Sequence, residues 1–280
     1  MQLTMKKLGA AAIAGALALC IAPAMAMVAP GQAHAAGKTD LAGKGISIDV
    51  DVETSKYDVK KDAYKDLTVY RGGKQVKPKV SVYFWEDTFD DEGNWTGDKR
   101  VTLKKNKDYT ITYKNNKNVG QAYVIIKGKG NYKGTIAQSY SINPKATKVT
   151  KVKGAKKALN VAWKKLSAKQ ADGYTINVYT RGAKYTQTID GKNYTRYNYR
   201  LATSKLVKGA SATSTKVTGL KAKTKYYVTV TPYKFAEGAI KSTLSKYNSK
   251  DEYVGRRVVN TTYADTFWGD ASDYKSGKTK

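Results

Sequence analysis

Residues 108–142 read DYTITYKNNKNVGQAYVIIKGKGNYKGTIAQSYSI. Apolar side chains recur there at every second position: Tyr109, Ile111 and Tyr113 in the first run, Val124 and Ile126 in the second, Ile136, Tyr140 and Ile142 in the third. A period of two lines one side of an extended strand, whereas a helix would need apolar residues three and four apart. The segments between the runs, KNNKNVG and GKGNYKG, are rich in the Asn and Gly that turns require. The stretch therefore predicts three consecutive antiparallel strands.

The GKGNYKG segment, Gly128 to Gly134, resembles at first sight a glycine loop that cradles phosphates. Such a loop needs a helix after it, because the helix N-terminus supplies the free N–H groups. Here the strand-forming TIAQSYSI follows, the spacing is G-x-G-x-x-x-G, and no GK[ST] closes it. The glycines Gly128, Gly130 and Gly134, with Asn131 and Tyr132 between them, are instead expected to make a strand-to-strand connection.

The same period extends outward. ISIDVDV (46–52), DLTVY (66–70) and VSVYFW (80–85) read as earlier strands of the same sheet pair. With 280 residues the chain has room for two ordinary domains of roughly 100–150 residues. Only five prolines, turn clusters at short intervals and no amphipathic helix of useful length after the first residues predict an all-β protein. The expected architecture is two antiparallel β-sandwich domains, 36–146 and 147–250, with 251–280 as a polar C-terminal tail.

Residues 1–35 read as a secretory signal peptide: Lys6 and Lys7, then an unbroken small-apolar run from Leu8 to Ala22, then two A-x-A sites. Cleavage is expected after Ala35, with Ala26 as the alternative. The apolar run is shorter than the ~20 residues a membrane-spanning helix needs, so no transmembrane span is expected in the mature protein. Cys20 and His34 are the only cysteine and the only histidine. Cleavage after Ala35 would remove both, which excludes a Ser-His-Asp triad, a Cys-His dyad, a His/Cys zinc site and any disulfide. An exported chain without disulfides points to a bacterial source, and no cofactor is expected.

Charge is unevenly distributed. The chain carries +29 overall; residues 151–250 hold 22 Lys and Arg against 3 Asp and Glu, whereas residues 36–150 hold 22 against 14 and residues 251–280 hold 5 of each. A surface this basic concentrates polyanions and releases their counterions on binding. It would equally keep an exported sheet protein soluble and blunt its edges.

The run 108–142 resembles the immunoglobulin-like modules of Gram-positive surface and secreted proteins, whose pattern is D-Y-x-V-x-Y-x-N-N-x-N-x-G-x-A-x-V-x-I-x-G-x-G-N-Y-x-G. That resemblance implies that GKGNYKG is the hairpin turn of the module. KKALNVAWKK (156–165), ADGYTINVY (171–179), STKVTGLKAKTKYYVTVTPYK (214–234) and KSTLSKYNS (241–249) are similar to fibronectin type III modules. It implies that Trp163 is the core tryptophan of an early strand, that Leu220 opens the later segment, and that Tyr226 forms a tyrosine corner with its hydroxyl returning to the backbone.

Two segments depart from these patterns. The acidic EDTFDDEGNWTGD (86–98) reads as an inserted hairpin loop whose Asp87, Asp90, Asp91 and Glu92 form a weak calcium candidate. Between Tyr179 and Ser214 the chain is long for its module and interleaves Tyr185, Tyr194, Tyr197 and Tyr199 with Lys184, Lys192, Arg196 and Arg200. Alternating rings and cations can stack sugars or bases while gripping anionic groups, and they also occur on ordinary edge strands.

The expected function is a secreted or cell-surface adhesion or scaffold protein without catalysis. Its expected ligands are polyanions or glycans such as wall teichoic acid, acidic polysaccharide or mucin-like glycan, with no specific nucleic acid. The alternatives are a carbohydrate-active or wall-remodelling enzyme using carboxylates of the first domain, and a pure spacer. Residues 251–280 show no LPxTG-type sorting motif, so retention at a surface would rest on charge or a partner.

Overall fold

The structure is a computed structural model that describes residues 38–280; the expected signal peptide, Cys20 and His34 lie outside the described residues. All regular structure among them is β. In chain order the strands are β1 (Thr39–Asp40), β2 (Asp49–Val52), β3 (Ser55–Asp58), β4 (Ala63–Asp66), β5 (Val80–Phe89), β6 (Trp95–Thr102), β7 (Tyr109–Lys114), β8 (Gly120–Gly128), β9 (Tyr132–Lys133) and β10 (Thr135–Ile142). They continue as β11 (Val149–Ala155), β12 (Ala158–Trp163), β13 (Gly173–Ile189), β14 (Lys192–Lys208), β15 (Ser214–Val217), β16 (Lys225–Tyr247), β17 (Tyr253–Trp268) and β18 (Lys275–Lys278).

The stretch 108–142 forms the antiparallel sheet β7-β8-β10. Tyr109, Val124, Ile126, Ile136, Tyr140 and Ile142 are buried in one core with Ile48 and with Val82 of β5, which belongs to the antiparallel sheet β2-β5-β6. GKGNYKG connects β8 to β10 with Thr135 opposite Lys127, so it is the strand connection its composition predicts. Gly128 has to be glycine because a Cβ there would lie 2.7 Å from the backbone of Lys133. Gly134 adopts φ +83°, in the left-handed region that favours glycine. The connection also seats the chain entry, with Thr39 N–H donating to Asn131 O and Leu41 N–H to Lys133 O, both at 2.9 Å.

A second core gathers Leu159, Val161 and Trp163 of β12, Tyr174, Ile176 and Val178 of β13, and Val228 and Val230 of β16. Trp163 packs on Tyr174 with ring centroids 5.3 Å apart. The Tyr226 hydroxyl accepts from Lys221 N–H at 3.0 Å while its ring is buried, which is the corner geometry expected of it. Leu220 is buried in the same core.

Three expectations are corrected. DLTVY does not form a strand past Asp66: Thr68 O and Tyr70 N–H both bond the backbone of Asn143, so this segment ties to the connector between the cores instead. The acidic insertion is not a loop but the ribbon β5–β6, with only Asp90 to Asn94 in its turn. Residues 251–280 are not a tail. β17 pairs with the distal half of β16 from Tyr233 to Tyr247, and β18 pairs with the start of β16 from Lys225 to Val228.

β16 is 23 residues long and serves both cores. Its first part pairs with β13 in the second core's sheet, and its distal part runs with β17 along β8 and β10, where Phe267 enters the first core. Pro232, which has no N–H to offer, falls between the stretches paired with β18 and with β17. Crossing bonds lock the ribbon down: Ala137 N–H to Thr243 Oγ1 at 2.7 Å, Asn115 Nδ2 to Ala239 O at 2.8 Å, and Arg256 to Ile48 O at 2.6 Å. The two cores are thus strapped together by the C-terminal ribbon.

Candidate functional site

The Tyr- and Arg-rich segment builds the long hairpin β13–β14. Its turn residues Asp190 and Gly191 have φ of +49° and +71°, the doubly positive geometry that matches the twist of a two-residue hairpin. Tyr174, Ile176 and Val178 are buried near the base, whereas Arg181 to Thr186 at the far end are exposed. The hairpin therefore projects beyond its own core.

Register decides which candidates act together, because directly opposed residues share a face. Arg181 opposes Tyr199 and Lys184 opposes Tyr197, on the face of Tyr179 and away from the core. Tyr185 opposes Arg196, Gln187 opposes Tyr194 and Ile189 opposes Lys192, on the other face, where the alternation of β14 also places Arg200. The eight residues expected as one platform are divided between two faces. Arg196 is moreover committed to structure: the residue is only 7% exposed and its guanidinium donates to Gln187 Oε1, Lys60 O and Val59 O. It docks the hairpin on the turn after β3, with Tyr194 beneath it at 5.2 Å.

The outward face holds more than its sequence neighbours suggest. Tyr199 stacks on Tyr274, centroids 4.0 Å apart and planes within 10°. Tyr179 meets both rings edge-on at 6.4 and 5.5 Å, and Tyr227 meets Tyr199 edge-on at 5.4 Å. Arg181 lies over the rings of Tyr197 and Tyr227, at 4.2 and 4.7 Å, and Lys225 reaches Tyr227 at 5.7 Å. Such contacts hold a cation over an aromatic face while leaving its N–H groups free to donate. Burial, with Tyr179 and Tyr199 nearby, pushes the Tyr274 phenol up to about 12, so it stays a neutral donor. Tyr179, Arg181, Tyr227 and Tyr274 are additions to the expected set; they come from β13, from β16 and from the segment leading into β18, which only the fold brings together.

The cations of this face are not held in ion pairs. Among the described residues the ion pairs are Lys61 with Asp273 at 2.5 Å and Lys234 with Asp172 at 3.0 Å, and neither involves the face. The arrangement can stack on flat or ring-shaped groups while its cations take anionic oxygens.

The acidic ribbon offers different chemistry. Asp90 is spent on its own turn, accepting from Asn94 N–H at 2.7 Å and Asn94 Nδ2 at 3.1 Å, and these bonds hold its carboxyl below the usual range. Asp87 opposes Asp98 across the ribbon and accepts from Trp95 Nε1 at 3.3 Å. Asp87, Asp90, Asp91 and Glu92 do not converge: among the described residues no three acidic, His or Cys side chains form a group that could hold a metal ion. Two open clefts of about 610 and 620 Å³ occur elsewhere; the first is lined by no carboxylate and the second by Glu237 alone.

No protein-family model matches the chain, and no curated protein matches it.

Proposed function

We propose that the protein is an exported, non-catalytic binder of polyanionic polymers of the cell envelope or its surroundings, gripping phosphate, sulfate or carboxylate groups through the outward face of β13, β14 and β16. The observation that carries this reading is Arg181 held over Tyr197 and Tyr227 and, among the described residues, engaged in no ion pair. Rings give the face area at low conformational cost, and the cations supply charge-assisted hydrogen bonds. The signal peptide and the +29 charge agree with such a role.

Within this reading the first core is an immunoglobulin-like module of the Gram-positive type and the second a fibronectin type III-like module. The buried Trp163 and the Tyr226 corner support the second assignment, and the GKGNYKG connection supports the first. Strapped by the β16–β17 ribbon, the two modules would present the face at a defined angle rather than on a flexible string. A hydrolase built on the acidic ribbon is disfavoured, since its carboxylates stand on an exposed two-stranded ribbon that holds no fixed spacing between an acid and a nucleophile.

The test is retention of the mature full chain on immobilised heparin and on wall teichoic acid. The expected result is tight retention with a steep fall in affinity with salt, and a slope reduced by roughly one for each cation removed in Arg181→Ala and Lys184→Ala. Elution no later than a control protein of equal net charge, or indifference to Arg181→Ala, would overturn the reading.

A further inference from the structure

The β5–β6 ribbon carries an exposed aromatic strip that neither core explains. Trp85, Phe89 and Trp95 are 55%, 52% and 61% exposed. Trp85 shares its face with Arg100 and with Tyr83, whose ring Arg100 covers at 3.6 Å, and Phe89 opposes Trp95. Between these rings stand Asp87 and Asp98. Residues 86–98 contain six acidic residues and no Lys or Arg, an acidic island in a chain of +29. Exposed apolar surface concentrated in this way marks an interaction site.

A counterpart exists in the same molecule. On β14, Leu201 and Leu206 are each 54% exposed. Leu206 opposes Thr175 and Leu201 opposes Tyr179, which puts both on the face away from the second core, and exposed Lys208 follows on that face opposite Gly173. β14 ends its sheet and β6 ends the sheet β2-β5-β6, so each patch borders a strand edge that no other strand among the described residues covers. One patch is apolar and acidic, the other apolar and basic.

We infer that a second copy of this chain is the occupant of the acidic aromatic ribbon: the strip Trp85, Phe89, Trp95 with Asp87 and Asp98 of one copy docks on Leu201, Leu206 and Lys208 of the next. Charge complementarity selects this occupant: the acidic ribbon repels polyanions, and the β14 patch of a second copy offers apolar surface beside a lysine. Because the two patches differ, the contact is heterologous, and it propagates head to tail unless two copies close on each other. Association weakens with salt, since the acidic island and the basic face attract through solvent. Polymer binding through Arg181 uses the same sheet farther along the hairpin, so array formation would place several polymer-binding faces in series.

The experiment is sedimentation velocity of the mature full chain at rising concentration, in about 50 mM and about 500 mM NaCl, across which the screening length falls severalfold. Mass should grow with concentration at low salt and return to monomer at high salt. Asp87→Lys with Asp98→Lys should abolish the growth, as should Leu206→Glu with Lys208→Glu, and an equimolar mixture of the two double variants should regain it, because the reversed patches then match. Heparin retention through Arg181 should survive in the Asp87→Lys, Asp98→Lys variant, whose changes lie on the ribbon and not on the polymer-binding face, which separates a failure here from a failure of the polyanion reading. A wild type that stays monomeric at low salt, or a mixture that fails to recover, would overturn the inference. If the monomer's tryptophan fluorescence responded instead to a neutral polysaccharide, the strip would belong to glycan binding.

Discussion

Arg196 donates from Nη1 to the carbonyl of Lys60 at 2.9 Å, bridging 136 positions of the chain. With its further bonds to Val59 O and Gln187 Oε1, this residue pins the tip of the β13–β14 hairpin to the turn that follows β3. Arg196→Ala should therefore lower stability by about 1.5–3 kcal/mol, the range for hydrogen bonds made by a charged group. Polyanion retention should change little, because the guanidinium has no free face. Urea unfolding read beside heparin retention checks both halves, and a loss of retention without a loss of stability would sink the assignment. Arg196→Lys should recover only part of the stability, since an ammonium lacks the planar fork that reaches three acceptors.

The C-terminal ribbon makes a stronger demand. Phe267 is buried in the first core although it lies 125 positions after the last strand of that core's own sheets, and Tyr263 packs at its margin. Phe267→Ala should cost about 3–5 kcal/mol, the usual loss for emptying a buried aromatic site. A chain ending at residue 250 loses β17 and β18 together, uncovers β16 along one edge, and should not give a cooperative transition. Calorimetry of the two variants decides; a truncated chain that melts like the full one would mean that the ribbon is ornamental.

What could be read from the amino acids divides along physical lines. Strands with one buried face announce themselves by period two, as in β7, β8, β10 and β12, and Trp163 and Tyr226 could be placed from local pattern alone. β17 could not. It is half of a two-stranded ribbon that buries little besides Gly255 and Phe267, so YVGRRVVNTTYADTFW carries too weak an alternation to separate from a tail. The candidate site failed for a related reason: Tyr194 and Arg196 share parity, Tyr197 and Tyr199 share the other, and period two sends the pairs to opposite faces. The partners that complete the outward face are brought in by long-range pairing: Tyr227 by the β13–β16 register opposite Tyr179, and Tyr274 by the segment leading into β18.

The outward face gives a prediction separable from net charge. Tyr199→Ala removes the ring that stacks on Tyr274 and meets Tyr179 and Tyr227 edge-on. Its charge is unchanged, so the salt slope of heparin binding should stay the same while affinity at every salt falls by about tenfold, a cost of the order found for one aromatic stacking contact. Arg181→Ala should change the slope as well. Parallel slopes for both variants would mean that the rings and the cation do not form one site.

Asp66 gives the protein a pH dependence of definite sign. Its carboxylate accepts from Asn143 Nδ2 at 2.9 Å, and Asp270 accepts from the Asp66 N–H at 3.2 Å, where the connector between the cores meets β4. Burial, opposed in part by the Asn143 bond and aided by the Asp270 charge, pushes Asp66 from the ordinary 3.8 up to about 6. Burial raises Asp270 too. A raised acid binds its proton more tightly folded than unfolded, so the stability it contributes is fully present below pH ~4 and is lost as pH rises through about 6. The gap between the two values caps the effect at about 3 kcal/mol, and solvent contact at this half-buried site reduces it. Asp66→Asn keeps an oxygen for Asn143 and carries no charge, so it should stabilise the protein by about 1 kcal/mol at neutral pH and leave it unchanged near pH 4. Urea midpoints of wild type and variant, measured at intervals from pH ~4 to ~7, should diverge progressively between the two pKa values and hold a constant gap above about 6; parallel profiles would show that Asp66 titrates no differently folded than free.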